Sequence, residues 1–197
     1  EERLSARKNR VASGQVMRWF WIDRFTEFVS GKYARAVKCV SLSEEAVDEY
    51  CPGYPCLPSS VVIEGMAQTG GLLIGQLSDF RERVVLAKIS HCKFADVPRP
   101  GQRLDFLAEI TNLQPNGAFV NGRIERDGKL FCDMELMFAF LDDDKFAKVE
   151  QFEPAAFLRM LRLLKLFDVA VTETGERVRI PEHMLEAEQI LLASPIP

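Results

Sequence analysis

A chain of 197 residues with 47% apolar content can form one sizeable domain with a true core, plus appendages. Its net charge of −4 gives no general reason to expect nucleic-acid binding, and no apolar run reaches the ~20 residues of a membrane span. The five cysteines (Cys39, Cys51, Cys56, Cys92 and Cys132) form no zinc spacing and suit free thiols in a reducing cytoplasm.

Residues 1–17 are polar and lack a persistent period, which predicts an N-terminal arm. Its basic cluster, Arg3, Arg7, Lys8 and Arg10, has no interleaved aromatics and reads as solvated. Trp19-Phe20-Trp21-Ile22 opens the folded region, and Phe25 and Phe28 lie on a strand leading to the turn Ser30-Gly31-Lys32. Tyr33 to Val40 alternates small or apolar residues with charged ones, as a half-buried strand does. Ser43-Glu44-Glu45 reads as a short capped turn.

The segment from Tyr50 to Gly71 carries the chemistry. Pro52, Pro55 and Pro58 lack backbone N–H groups, so the loop around them is stiff and extended. Beyond Pro58 the apolar residues take helical spacing, with Ser59 or Ser60 as a possible cap, and the helix runs to about Phe80. Glu64 is the only charged residue between Glu49 and Asp79. A carboxylate in so apolar a helix is expected to be buried, with its pKa raised unless hydrogen bonds offset the burial. Gln68 lies one turn further on and shares its face. Gly65, Gly70, Gly71 and Gly75 each cost ~1 kcal/mol inside a helix, which points to close packing against a sheet or a ligand.

Four β-like segments follow. Val84–Phe94 and Leu104–Leu113 flank the Pro100-Gly101 turn, and Asn116-Gly117 and Asp127-Gly128 mark hairpins leading to Ala118–Glu125 and Leu130–Leu141. A long helix followed by an antiparallel meander is an α+β arrangement. Asp142-Asp143-Asp144 reads as a solvated turn rather than a metal site. From Pro154 to Phe167 the pattern is that of an amphipathic helix with Arg159, Arg162 and Lys165 on its polar side. The expected organisation is therefore an arm (1–17), a core domain (18–141) and a C-terminal extension (142–197).

Pro52-Gly53-Tyr54-Pro55, Leu57-Pro58 and Glu64-Gly65-Met66-Ala67-Gln68 resemble the signature of the 3-hydroxyacyl-ACP dehydratases of fatty-acid synthesis. That signature reads His-Phe-Pro-Gly-x-Pro-x-Met-Pro-Gly, then a helix with Glu-Ala-Met-Ala-Gln. The resemblance continues through Lys93-Phe94 to Pro100-Gly101-Gln102-Arg103-Leu104, where the family has Pro-Gly-Asp-x-Leu. It implies a hot-dog fold, in which a curled antiparallel sheet wraps one central helix. It also implies a dimer or a trimer of dimers, with each site taking its loop and its acid from different subunits. The implied substrate is a 3-hydroxyacyl thioester on acyl carrier protein, with phosphopantetheine arriving on the substrate and no metal or resident cofactor. Carried over by position, Glu64 is the acid that assists departure of the hydroxyl. The Ser59 N–H polarises the thioester oxygen, and Gly53 and Gln68 belong to the substrate-binding set.

One departure is decisive. The family's catalytic His precedes its Glu by 14 positions, which falls on Tyr50 in this chain. At reference pKa values only ~0.1% of a phenol is ionised near neutrality, so using Tyr50 as a base costs roughly 4 kcal/mol. Tyr50 is thus either an aromatic at the tunnel mouth or a direct participant, with His91 or a water held by Glu64 as other sources of a base. Cys51 and Cys56 have no nearby histidine to make either a nucleophile. Three readings follow: a dehydratase, a catalytically impaired acyl-thioester-binding subunit of a synthase complex, or a hot-dog thioesterase using Glu64 and Gln68 to activate water.

Overall fold

The computed structural model describes residues 20–48, 53–141 and 153–193. Residues 1–17, Tyr50, Cys51 and the Asp142–Asp144 triplet, on which several of the expectations fall, lie outside the described residues.

Strands β1 (Arg24–Val29) and β2 (Tyr33–Cys39) form a hairpin, followed by the short helix α1 (Glu45–Asp48). The central helix α2 spans Ser59–Gly75 and tightens into a 3-10 turn over Gln76–Ser78. Then come β3 (Arg83–Phe94), β4 (Arg103–Gln114), β5 (Gly117–Arg126) and β6 (Lys129–Leu141). The remaining elements are α3 (Pro154–Leu163), α4 (Leu166–Val169), β7 (Ala170–Val171) and α5 (Glu182–Ala193).

The seven strands make one sheet in the order β3-β6-β5-β4-β2-β1-β7. All neighbours are antiparallel except β1 and β7, which run parallel, so the sheet is mixed at one edge. Alternation puts Leu104, Phe106 and Ala108 of β4, and Met134, Leu136 and Phe138 of β6, on the face that covers α2. From the helix, Val62, Met66, Leu73 and Ile74 fill the same core. Fully burying side chains of this size contributes about 1.5–3 kcal/mol each. Two glycines allow the close approach. A methyl group added at Gly70 would sit 3.2 Å from the Phe138 ring, and one at Gly65 would sit 2.9 Å from the Trp21 carbonyl oxygen.

Past β6 the chain packs back on the core. Glu153 caps α3 by accepting from the N–H groups of Ala155 and Ala156, and Pro154 fits the first helical turn. The amphipathic helix expected to run through Phe167 breaks earlier: Lys165 adopts φ 59°, and α4 starts in a new direction. That break lets the Leu164 carbonyl accept from the Phe25 N–H and lays β7 along β1. Phe157 and Phe167 both meet the ring of Phe80 edge-on. Helix α5 packs against α3 and is joined to it by an Arg162–Glu188 ion pair.

Candidate active site

The two separated sequence motifs meet in space. The Leu57 N–H donates to the Pro98 carbonyl at 2.8 Å, which ties the loop before α2 to the Pro-Arg-Pro-Gly turn before β4. The end of β2 is fastened to the same turn, since Val40 N–H donates to Gln102 O at 2.9 Å and Gly101 N–H to Val40 O at 2.9 Å. Gly53 takes φ 81°, a conformation that side chains resist, and opens the described part of the loop. Cys56 and Leu57 turn inward and are buried.

Neither serine caps the central helix. Pro58 occupies the cap position and Ser59 is the first helical residue, so its N–H is one of the first-turn donors with no intrahelical acceptor. An N–H of this kind is a ready donor for a developing negative charge.

Glu64 lies just beyond the first turn of α2 and is half-buried. Burial raises its carboxyl above the ordinary 4.5, and a hydrogen bond from Gln68 partly offsets the rise. Gln68 Nε2 donates to Glu64 Oε1 at 3.4 Å, while Gln68 Oε1 accepts from the Trp21 backbone N–H at 3.0 Å. The second bond fixes which end of the amide faces the acid. Gly65 makes the arrangement possible, because any Cβ there would press on the Trp21 carbonyl and on the Phe106 ring. Glu64, Gln68 and Trp21 therefore form one connected unit. Trp21 was not legible as a member, because it contributes through its backbone from 47 residues away.

His91 is placed elsewhere. Its Cα pairs with Glu135 on β6, whose neighbours Met134 and Leu136 point into the core, so His91 lies on the outer face of the sheet. There its Nε2 lies 2.7 Å from Asp133 Oδ2. Within one chain it faces away from α2 and Glu64.

Cys56, Cys92 and Cys132 are unsuited to nucleophilic work. Cys56 is buried, and burial pushes the Cys92 and Cys132 thiols up, away from the reactive thiolate. Among the described residues no cluster of His, Cys, Asp and Glu could hold a metal ion, and no helix is long and apolar enough to cross a membrane. A hollow of mixed character, lined by Ile74, Leu77, Leu113 and Phe140 together with Glu82 and Gln114, lies at the far end of α2, about 15 Å along the helix from Glu64.

A curled sheet wrapped on one helix, with a half-buried carboxylate near the start of that helix, is the hot-dog arrangement. The chain belongs to the FabA-like domain family, which matches residues 16–135. It is similar to the 3-hydroxyacyl-[acyl-carrier-protein] dehydratase FabZ of Aliarcobacter butzleri, at 32% identity over 127 residues, covering 61% of this chain and 86% of the relative. Similarity to the enzyme of the same description from a Nitratiruptor species is 33% over 128 residues, covering 61% and 86%. In fold it is similar to a chain of the dehydratase heterocomplex ApeI:P from Xenorhabdus doucetiae, with a TM-score of 0.57 and 16% identity, covering 66% of this chain and 89% of that one.

Proposed function

We propose that this protein is a dehydratase of 3-hydroxyacyl thioesters presented on acyl carrier protein, eliminating water to leave a trans-2-enoyl thioester. The observation that carries the reading is Glu64: a carboxyl whose pKa is raised by burial and whose orientation is set by Gln68. A general acid for a departing hydroxyl must hold its proton near neutral pH, and a raised pKa serves that end. The Ser59 N–H would stabilise the charge that develops on the thioester oxygen when the proton on the neighbouring carbon leaves. Elimination beside a thioester needs only a base, an acid and an oxyanion donor, so no resident cofactor is invoked. The base is the weak member of the set. His91 faces the other side of the sheet, which leaves Tyr50 or a water held by Glu64.

The assembly we propose is a homodimer. Strand β3 is a sheet edge twelve residues long, with β6 its one partner strand among the described residues, and Val85 and Ile89 are exposed on it. Val61, Ile63 and Leu72 of α2 are likewise apolar yet only partly buried. A second copy pairing along β3 would cover both features and complete a site shared between subunits. In this reading the protein is cytoplasmic.

The test is mass-spectrometric analysis of purified protein incubated with 3-hydroxyacyl-ACP. Loss of water supports the dehydratase. Release of free acid would favour a thioesterase, and binding with neither product a catalytically impaired carrier-binding subunit.

A further inference from the structure

The turn that holds the site loop carries a cation with no counter-charge among the described residues. Arg99 lies in Pro98-Arg99-Pro100-Gly101, and its guanidinium carbon sits 4.3 Å from the centroid of the Tyr54 ring. Its backbone is pinned on both sides, by Leu57 N–H donating to Pro98 O and by Arg99 N–H donating to Gln102 Oε1 at 2.8 Å. The neighbouring cations are engaged: Arg103 with Asp105 at 2.6 Å, and Arg126 with Asp96 at 3.6 Å and stacked on Phe131. Among the described residues no carboxylate lies within ion-pairing distance of Arg99. Gln102 matters here as well. It holds the Arg99 backbone where the family pattern has an aspartate, so the turn is braced without adding a negative charge beside the guanidinium.

Stacking on an aromatic face leaves the N–H fork of an arginine free at its rim, already ordered and directed outward. A fork so held fits an oxyanion of tetrahedral geometry better than a lysine does. Tyr54 precedes Ser59, whose N–H is assigned to the thioester oxygen, by five residues, so the path between them cannot exceed about 18 Å. We propose that Arg99, ordered on Tyr54, binds the phosphate of the pantetheine arm that carries the acyl thioester to Glu64. The inference rests on the dehydratase reading for the identity of the arm. The chemistry is shared by acyl carrier protein and coenzyme A, both of which bear that phosphate.

The test separates the phosphate from everything else. Calorimetric titration of the full chain with 4′-phosphopantetheine and with pantetheine compares two ligands that differ only there. We expect wild type to prefer the phosphorylated form by about tenfold, Arg99→Gln to lose the preference, and Arg99→Lys to keep part of it. Tyr54→Phe should keep the preference and Tyr54→Ala should weaken it, since only the latter removes the ring. Equal binding of both ligands by wild type, or an unchanged preference in Arg99→Gln, overturns the proposal. These titrations do not depend on turnover, so they can fail or succeed apart from the dehydratase reading.

A second arm measures the kinetics of Arg99→Gln with 3-hydroxyacyl-ACP and 3-hydroxyacyl-CoA and identifies the source. A rise of about tenfold in KM with kcat unchanged for both thioesters supports the shared phosphate. A rise with the carrier protein alone overturns it in favour of contact with the carrier's own surface.

Discussion

At the scale of single residues, the proposed function turns on Glu64 and Tyr50. Glu64→Gln keeps the shape and the contact with Gln68 but removes the acid, so dehydration or hydrolysis should fall about a hundredfold or more in steady-state assays. The same variant makes a statement about stability. A carboxyl whose folded pKa lies above its unfolded value favours folding while protonated, and that contribution is lost as pH rises through the folded pKa. Glu64→Gln should therefore gain stability relative to wild type between about pH 4 and neutrality, as read from urea midpoints across that range. Tyr50→His supplies a side chain that accepts a proton near neutral pH, and dehydration should rise about tenfold or more above the starting protein. If wild type is instead robust and Tyr50→Phe abolishes it, the phenol itself takes part. Glu64 and Gln68 were legible from their spacing on one apolar helix. Their orientation was not, because it comes from a backbone N–H that no side-chain pattern records.

At the scale of elements, α2 and the four long strands could be read from prolines, hairpin dipeptides and alternation, the strands to within one residue at each end, while α2 stops at Gly75, about five residues short of the expected Phe80. The pieces that could not be read have weak local signatures. Strand β7 is two residues long and exists because β1 offers a partner. Helix α5 mixes acids with apolar residues and turns only Met184 fully inward. The break at Lys165 interrupts an apolar pattern that continues on both sides, so periodicity alone carries through it. Gly65 shows where an element meets the site. The family pattern has alanine there, but in this chain a methyl group would push against Trp21 and Phe106. Gly65→Ala should cost about 1–3 kcal/mol in unfolding experiments despite its better helix propensity. It should also lower activity by loosening the Trp21–Gln68 bond. Full stability in this variant would mean that the Trp21 segment yields easily.

At the scale of the whole molecule, the proposed dimer makes a direct forecast. Val85→Lys with Ile89→Lys places like charges along β3, and the protein should sediment as a monomer at micromolar concentration where wild type is a dimer. If the site is shared, that monomer should also lose turnover while keeping its circular dichroism spectrum. A wild type that is already monomeric would rule out the shared site.

The parallel pairing of β7 with β1 bears on the kind of polymer this sheet can build. With one end sealed, association through the other is self-limiting: two copies meet and growth stops. With both ends open, each copy could recruit another at either side, and the product would be an open fibre rather than a closed pair. Ala170→Pro leaves the core strands intact but removes the N–H that donates to the Leu166 carbonyl at the end of α4, which loosens the start of β7 where the Val178 N–H donates to the Ala170 carbonyl. We expect that variant to form concentration-dependent, thioflavin-positive aggregates from otherwise folded protein. On this view the chain beyond β6 serves as a terminator, setting the assembly's length at two.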